Sequence, residues 1–381
     1  MIYMDNAASS YPKPPEVIEA TLAALKAPAS PGRSGHAAAL AASRVIHRAR
    51  KNLARLFGVQ DNSRLAFFAN VTWALNTALE GFGLKNGDHV ISSSLEHNSV
   101  ARPLTRLVSE RGLAWDTVPI DGQGLSDPDD FRKLLRPNTR LIILNHASNV
   151  TGALASPEEI KKSVDGLPLL LDAAQTAGAV EMLDVSRWAD LIAFTGHKSL
   201  LGPTGTGGLW IREGINIRPL AVGGTGSASE SLSPPDFMPD AFEAGTANTH
   251  GLAGLAAGTD YILKRGVVTI RRHEMDLCMN FLDGLSQIKG IKVFGPLDRE
   301  KRVATIALGA EGWSSSDFSL ALEKEAGILT RAGLQCSPLG HGALGSLQSG
   351  GLTRFSFGPF NTQSEIETAL NSIGSLAALK R

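Results

Sequence analysis

The stretch LIAFTGHKSLLGPTGTGGLWI, residues 191 to 211, sets one lysine between two apolar runs, with a histidine before it and glycines after it. Read alone, Lys198 fits a solvated loop charge among turn-forming glycines. A lysine at the end of a buried strand has a second reading, because an amine shielded from water loses basicity and becomes a usable base or nucleophile. Other reactive or polar residues recur where apolar runs end. Asn70, Val71 and Thr72 follow RLAFFA, Glu96 and His97 follow DHVISS, and His146 to Asn149 follow TRLIILN. Asp172 and Gln175 close LLLDAAQ, and Thr195 and His197 lie just ahead of the lysine. Each has a plain alternative: Thr72 and Asp172 suit helix caps, and His97 suits a satisfied surface histidine. A metal fits poorly, since the histidines at 97, 146 and 197 lack the close spacing of zinc ligands and no cysteine pair lies near them. No metal is therefore expected.

The elements that must carry these residues follow from periodicity. HRARKNLARLFG (47 to 58) reads as an amphipathic helix closed by Gly58, and residues 64–69 read as a strand leading into the helix TWALNTALEGF. Residues 88–93, 114–120, 139–146, 167–174, 190–196 and 205–211 continue as short apolar runs, spaced in the first part by helical patterns. That alternation predicts an α/β domain with a largely parallel sheet. From about residue 250 the texture changes to longer helices, then VATIAL, a glycine-rich segment, LTRFSF and a final helix from about 363, which predicts a smaller α+β domain. The seam is expected in the glycine-rich 223–250 stretch. The large domain is then 16–248, and the small one is 1–15 with 249–381, carrying the second cysteine.

Bulk properties narrow the function. At 381 residues the chain exceeds the usual size of one core. Its 37 basic and 37 acidic residues cancel without charge blocks, so neither nucleic acid nor an anionic membrane is expected as a partner. The start MIYMDNAASSYPKPPEV lacks a basic-then-apolar leader, and no long apolar run occurs, so a soluble cytoplasmic protein is expected. Two cysteines, Cys278 and Cys336, are too few for a disulfide scaffold.

In open parallel sheets, ligands collect beyond the carboxyl ends of the strands, where the residues above fall. Backbone amides and a hydroxyl at Asn70 to Thr72, opening a helix, suit an anion. GPTGTGG lacks the G-K-[ST] closure of an ATP loop. A strand-end lysine, an aspartate after another strand and an anion cradle on a third loop form the triple that pyridoxal phosphate needs: an amine for the Schiff base, a carboxylate for the ring nitrogen and a phosphate site.

Seven blocks in order, YMDNAAS, SLEHNSVARPL, NHASNVTGAL, LLLDAAQTAGA, FTGHKSLLGPTGTGGLWI, FEAGTANTHGLAGL and RAGLQCSPLGH with TRFSFGPFNT, resemble the class V aminotransferase-like enzymes across nearly the whole chain. Within them the resemblance is to the SUF-type cysteine desulfurase and selenocysteine lyase branch. It implies fold type I, a large domain with a mainly parallel seven-stranded sheet beside a smaller α+β domain, and pyridoxal 5'-phosphate as cofactor. It further implies Lys198 as the Schiff-base lysine, Asp172 at the pyridine nitrogen, His97 stacked on the ring and Gln175 at the phenolic oxygen. Thr72, Thr195 and His197 match the phosphate-binding positions and Val71 falls among the cofactor-binding ones, while Thr246 resembles a residue that reaches the phosphate of a neighbouring subunit, so a homodimer is implied. Asn149, beside the cofactor, and Arg354, as a carboxylate clamp, match substrate-holding positions.

The cysteines separate by pattern. Cys278 shares helical spacing with Phe281, Leu282 and Leu285, which predicts core packing. Cys336 lies in a glycine- and proline-rich loop and matches the cysteine whose thiolate takes sulfur from the substrate and holds it as a persulfide. His341 or Arg331 is a candidate to favour that thiolate. Departures from the family pattern are Gln335, often histidine there, Trp73 in place of a glutamate, and Val71 in place of a small residue. The expected reaction is removal of sulfur from L-cysteine, or selenium from L-selenocysteine, to give L-alanine, with a sulfur-acceptor protein as a possible partner. Alternatives are another class V activity, an aminotransferase or β-eliminating lyase that does not use Cys336, and a non-catalytic sulfur-transfer scaffold.

Overall fold

Continuous apolar runs become strands when both faces of a sheet are covered, and burial along the chain follows that rule. The computed structural model describes residues 1–28, 31, 32, 34–164 and 166–379. After a short β1 (Ile2–Tyr3), the chain builds β2 (Leu65–Phe68), β3 (His89–Ser93), β4 (Ala114–Val118), β5 (Thr139–Asn145), β6 (Leu169–Asp172), β7 (Leu191–Thr195) and β8 (Gly207–Ile211). These last seven form one sheet in the order β2-β8-β7-β6-β5-β3-β4, parallel except for β8, which runs antiparallel to both neighbours. The mainly parallel seven-stranded α/β sheet is as expected. All residues of β6, β7 and β8 are buried.

Alternate residues feed two separate cores, as the two-residue period of a strand requires. Ile142, Leu171, Ile192 and Phe194 face the helices Ala37–Leu56 and Thr249–Arg265. Ile143, Leu170, Leu191 and Ala193 face Val71–Gly81 and Asn98–Arg111. The helix expected from residue 47 begins at Ala37 and ends at Leu56. Its alanine-rich first turns give no strong apolar stripe, and the His36 side chain caps it by accepting from the Ala39 amide at 3.2 Å.

A second architecture follows. β9 (Ile291–Phe294), β10 (Thr305–Ala310) and β12 (Thr353–Ser356) form an antiparallel sheet in the order β12-β10-β9, and β11 (Ile328–Leu329) pairs with β1. Its core joins Ile306, Leu308 and Phe355 to the helices Val267–Ser286 and Gln363–Leu379, and takes in Met4 from the N-terminus. Leu252, Leu255 and Ile262 belong to the first core, so the change of core falls within the Val267–Ser286 helix, between Ile270 and Met275. Among the described residues, no helix is long and apolar enough to cross a membrane.

Candidate active site

The strand order reverses between β3 and β5, from which the chain proceeds outward in opposite directions, and such a point leaves a crevice beyond the carboxyl ends. His97 ends the turn after β3 and caps the helix Asn98–Arg111, its Nδ1 accepting from the Ser99 amide at 3.0 Å. That bond leaves the ring proton on Nε2. Ser99 Oγ lies 2.9 Å from His97 Nδ1 and 2.8 Å from Thr72 Oγ1, so the start of the Val71–Gly81 helix is tied to His97. Asn70, not Thr72, caps that helix, through Oδ1 to the Trp73 amide. Two glycines of the GTGG run explain its composition. A Cβ on Gly207 would lie 2.7 Å from the Asn70 backbone, and one on Gly208 would strike the Phe194 ring at 2.4 Å. The glycines let β8 seat between β2 and β7, so that the helix start and the end of β7 lie side by side.

Lys198 follows β7 in this crevice. Burial lowers its ammonium to a pKa of about 8, against the opposing charges of Asp172, Asp5 and Cys336 and with help from Arg354. Asp172 is buried at the end of β6, its Oδ1 accepting from the Ala174 amide at 2.9 Å. Burial raises its carboxyl, and that amide and Lys198 pull it back. His97 and His197 are each lowered to about 4, first by burial and then by Lys198, so both rings are neutral at physiological pH. Thr195 is buried beside them, and Gln175 Nε2 donates to the Ala7 carbonyl at 3.1 Å.

The N-terminal segment closes the crevice from one side. Ser10 Oγ donates to the Lys198 carbonyl at 2.8 Å, and Lys13 Nζ donates to the His197 carbonyl at 2.8 Å. Asp5 Oδ1 accepts from Arg354 Nη2 at 2.6 Å, while Arg354 Nη1 donates to the Asn149 carbonyl at 2.9 Å. Asp5 and Glu96 had no role assigned from sequence. No spacing rule joins residues 5 and 354, whereas Glu96 carries one signal, an acid three residues past an apolar strand. It is fully buried, and its carboxyl is raised to about 8 by burial, opposed by the Ser93 hydroxyl and reinforced by Asp172.

Cys336 is exposed and stands two residues before a short helix, Pro338–Ala343, where the sequence predicts only a loop. Glycines at 340 and 342 hide that helix from propensity. Gln335 and Cys336 both lie in the left-handed region, at φ of +43° and +58°. Non-glycine residues there cost on the order of 1 kcal/mol each, so surrounding bonds must hold them. The Asn98 amide donates to the Cys336 carbonyl at 2.8 Å, and Asn149 Nδ2 donates to the Gln335 carbonyl at 2.7 Å.

Asp172, His97, His197, Arg354 and Cys336 thus share the field of Lys198, Asn149 joins them through Gln335 and Arg354, and Thr72 joins through Ser99. Thr246 is not among them. It lies exposed in a groove of about 530 Å³ with Phe67, Phe68 and Trp73. Buried atoms without partners mark the site as built for a polar ligand: His197 Nδ1, Asn149 Oδ1, Arg354 Nε and Glu96 Oε2. Such atoms are costly in a packed interior unless something bonds them. An amine, a carboxylate, a helix start and a guanidinium around one crevice fit pyridoxal phosphate with an amino acid. Among the described residues, no three His, Cys, Asp or Glu side chains cluster as metal ligands.

A mainly parallel α/β sheet with a lysine, an aspartate and an anion-ready helix start at its carboxyl edge defines an enzyme of fold type I. The chain belongs to the class V aminotransferase family, whose model matches residues 2–369. It is 31% identical to a probable cysteine desulfurase of Methanothermobacter thermautotrophicus, covering 99% of this chain and 95% of that one. It is 33% identical to a probable cysteine desulfurase of Pyrococcus abyssi, covering 99% and 94%. Among solved structures, the apo cysteine desulfurase of Thermococcus onnurineus NA1 superposes with a TM-score of 0.90 at 30% identity, over 99% of this chain and 94% of that one. The cysteine desulfurase CsdA of Escherichia coli gives 0.88 at 27%, over 100% and 95%.

Proposed function

We propose that the protein is a pyridoxal phosphate-dependent cysteine desulfurase, converting L-cysteine to L-alanine while Cys336 receives the sulfur. The observation that carries this reading is an exposed thiol, held in a left-handed turn, within the field of a buried strand-end lysine. In the net change the bond between Cβ and sulfur breaks, a bond between that sulfur and Cys336 Sγ forms, and a proton takes the place of sulfur on Cβ. Cysteine and a thiol become alanine and a persulfide, with no outside oxidant.

Thr72, Thr195 and His197 would hold the phosphate with Val71 beside it, and Asp172, Gln175 and Asn149 would hold the ring. When bound, the cofactor supplies electron withdrawal from the carbons of the amino acid. Asp172 would meet the ring nitrogen, where its charge would keep that nitrogen protonated. His97, neutral and with its Nε2 proton turned away from Ser99, would stack on the ring face. Arg354 receives the substrate carboxylate along its free Nε edge while Asp5 and the Asn149 carbonyl fix the rest of the guanidinium. Lys198, with an ammonium of pKa about 8, exists in part as the free amine near neutral pH and carries a proton at Nζ to and from the substrate carbons.

L-selenocysteine is a second substrate in this reading, since selenium leaves more readily than sulfur and needs less help from Cys336. We further propose a cytoplasmic homodimer that passes sulfur to an acceptor protein, with Thr246 reaching the neighbouring subunit's phosphate. The division into a large domain (16–248) and a small domain (1–15 and 249–381) is likewise proposed, with the helix Thr249–Arg265 packed on the large core.

One experiment tests the whole. Purified enzyme is given cysteine carrying labelled sulfur, alanine is measured, and the protein is mapped, with a borohydride-treated sample mapped for fixed cofactor. Label on Cys336, cofactor on Lys198 and alanine matching the sulfur released are expected. Cofactor fixed to another lysine, or keto acid in place of alanine, sinks the proposal.

A further inference from the structure

Three buried polar side chains lie behind the exposed thiol. Gln335 Nε2 donates to the carbonyls of Leu352 at 2.8 Å and Arg331 at 3.2 Å. With both amide protons so placed, Gln335 Oε1 is left to accept, and it lies 2.9 Å from His341 Nε2. His341 is wholly buried, and its Nδ1 lies 2.8 Å from the hydroxyl of buried Ser346. Gln335 Oε1 thus fixes a proton on Nε2, which donates to it; burial lowers the pKa of the ring and favours its neutral form, in which Nδ1 accepts from Ser346. Apolar side chains would fill this volume without the need to match donors.

We propose that Gln335, His341 and Ser346 form a positioning device for Cys336. The inference rests on reading Cys336 as the sulfur nucleophile. The chain draws the Gln335 side chain inward between Arg331 and Leu352, and a left-handed backbone at 335 and 336 then turns the next side chain outward. On the opposite side the same peptides are bonded by Asn149 and Asn98, and Ser337 Oγ donates to the Glu96 carbonyl at 3.2 Å. The thiol is held between two sets of bonds, one from the 331–352 segment and one from the crevice. His341 acts through Gln335 and touches no reacting atom.

The test uses the holoenzyme with His341→Ala, His341→Gln and Ser346→Ala. Glutamine places its amide nitrogen where the imidazole Nε2 stood and so keeps the bond to Gln335. Three quantities are read: the rate of persulfide formation on Cys336 in a single turnover, the rate of Cys336 alkylation by iodoacetamide, and amide exchange over 333–340. In His341→Ala we expect persulfide formation slower by about tenfold or more, with cysteine affinity within about twofold. Alkylation should become faster and exchange over 333–340 should rise, because a loosened thiol is easier to reach and harder to aim. His341→Gln should recover most of the loss, and Ser346→Ala should show a smaller change of the same kind. Cys278, buried, must stay unalkylated throughout, which confirms the fold, and Ser346→Ala decides the matter if His341→Ala does not fold. Unchanged persulfide and alkylation rates in a folded variant overturn the proposal, as does a glutamine variant no better than alanine. Alkylation and exchange need no turnover, so if the wild type forms no persulfide, the functional reading fails while these two still decide the positioning.

Discussion

Cys278 lies on the helix Val267–Ser286 with no exposed surface, packed in one core with Phe281, Leu282 and Leu285, and burial pushes its thiol up against the opposing charge of Arg302. Cys336 lies exposed at the mouth of the crevice, on two successive left-handed residues, with hydrogen bonds arriving from both sides. The first region repeats one helical period and satisfies itself. The second departs from local preference and depends on partners far along the chain, Asn98 and Asn149. A thiol raised by apolar burial is inert, whereas one presented in a backbone held by its surroundings is placed for chemistry.

The difference breaks first, and by most, at Cys336. Cys336→Ala leaves Lys198, Asp172 and Arg354 intact, so the variant should still bind cysteine and change the cofactor's absorbance. Persulfide formation should vanish and alanine production from cysteine should fall by at least about a thousandfold, as when a nucleophile is removed. Alanine formed at the wild-type rate would place the two cysteines on the same footing. Asp172→Ala comes next. It removes the carboxylate that would meet the ring nitrogen, and turnover should drop by about a hundredfold or more, with weaker cofactor retention measured by dialysis and absorbance. Wild-type rate and retention would reduce Asp172 to an acceptor for the Ala174 amide.

What could be read from sequence follows the same division. The central strands announce themselves as apolar runs because parallel strands covered on both faces have no polar period to obscure them, and Lys198, Asp172 and His97 stand out as candidates by their place at the strand ends. The Val267–Ser286 helix was legible from the spacing that buries Cys278. From its own residues the Cys336 region reads as a glycine- and proline-rich loop, and only the resemblance of its block marks the cysteine. Its short helix is hidden by glycine, and its holding bonds span separations with no local mark, from Asn149 to Gln335 and from Asn98 to Cys336. Asp5 shows the same limit, since its partner Arg354 lies at the other end of the chain. Local period reveals what packs with itself; a site assembled from distant segments leaves residue types without geometry.

A third prediction sharpens the view that the Cys278 helix governs stability. Glu274, on that helix, is buried, and burial raises its carboxyl to about 8 with Arg271 opposing. In the unfolded chain the carboxyl titrates near 4.3. Between about pH 4.5 and about pH 8 the native state keeps a proton that the unfolded chain releases, so this group's contribution is full below that window and is lost as pH rises through it. The limiting slope for one proton is about 1.4 kcal/mol per pH unit. Glu274→Gln should flatten the fall of stability with pH over that range, in denaturant melts at fixed pH values, and leave persulfide formation unaltered. Glu96, raised in the same direction, leaves a residual slope. An unchanged curve would mean that Glu274 is ionised in the native protein.

The smallest effect belongs to Cys278 itself. Cys278→Ala removes one sulfur atom from a core whose neighbours, Phe281 and Leu282, are fixed on the same helix and cannot close fully on the space. The lost transfer energy and the residual cavity together should lower stability by about 1 kcal/mol. Labelled sulfur from cysteine should reach Cys336 at the wild-type rate, and iodoacetamide should find a single reactive thiol before and after the change. Because Cys278 also lies beside the guanidinium of buried Arg302, whose Nη2 donates to the carbonyls of Thr305 at 2.6 Å and Thr151 at 3.3 Å, the variant tests whether the sulfur does more than fill space. Those carbonyls already occupy the guanidinium, so the loss should stay near the cavity value. A loss several times larger would show that the thiol helps hold Arg302, and any loss of sulfur transfer in a fully folded variant would break the distinction between the two cysteines.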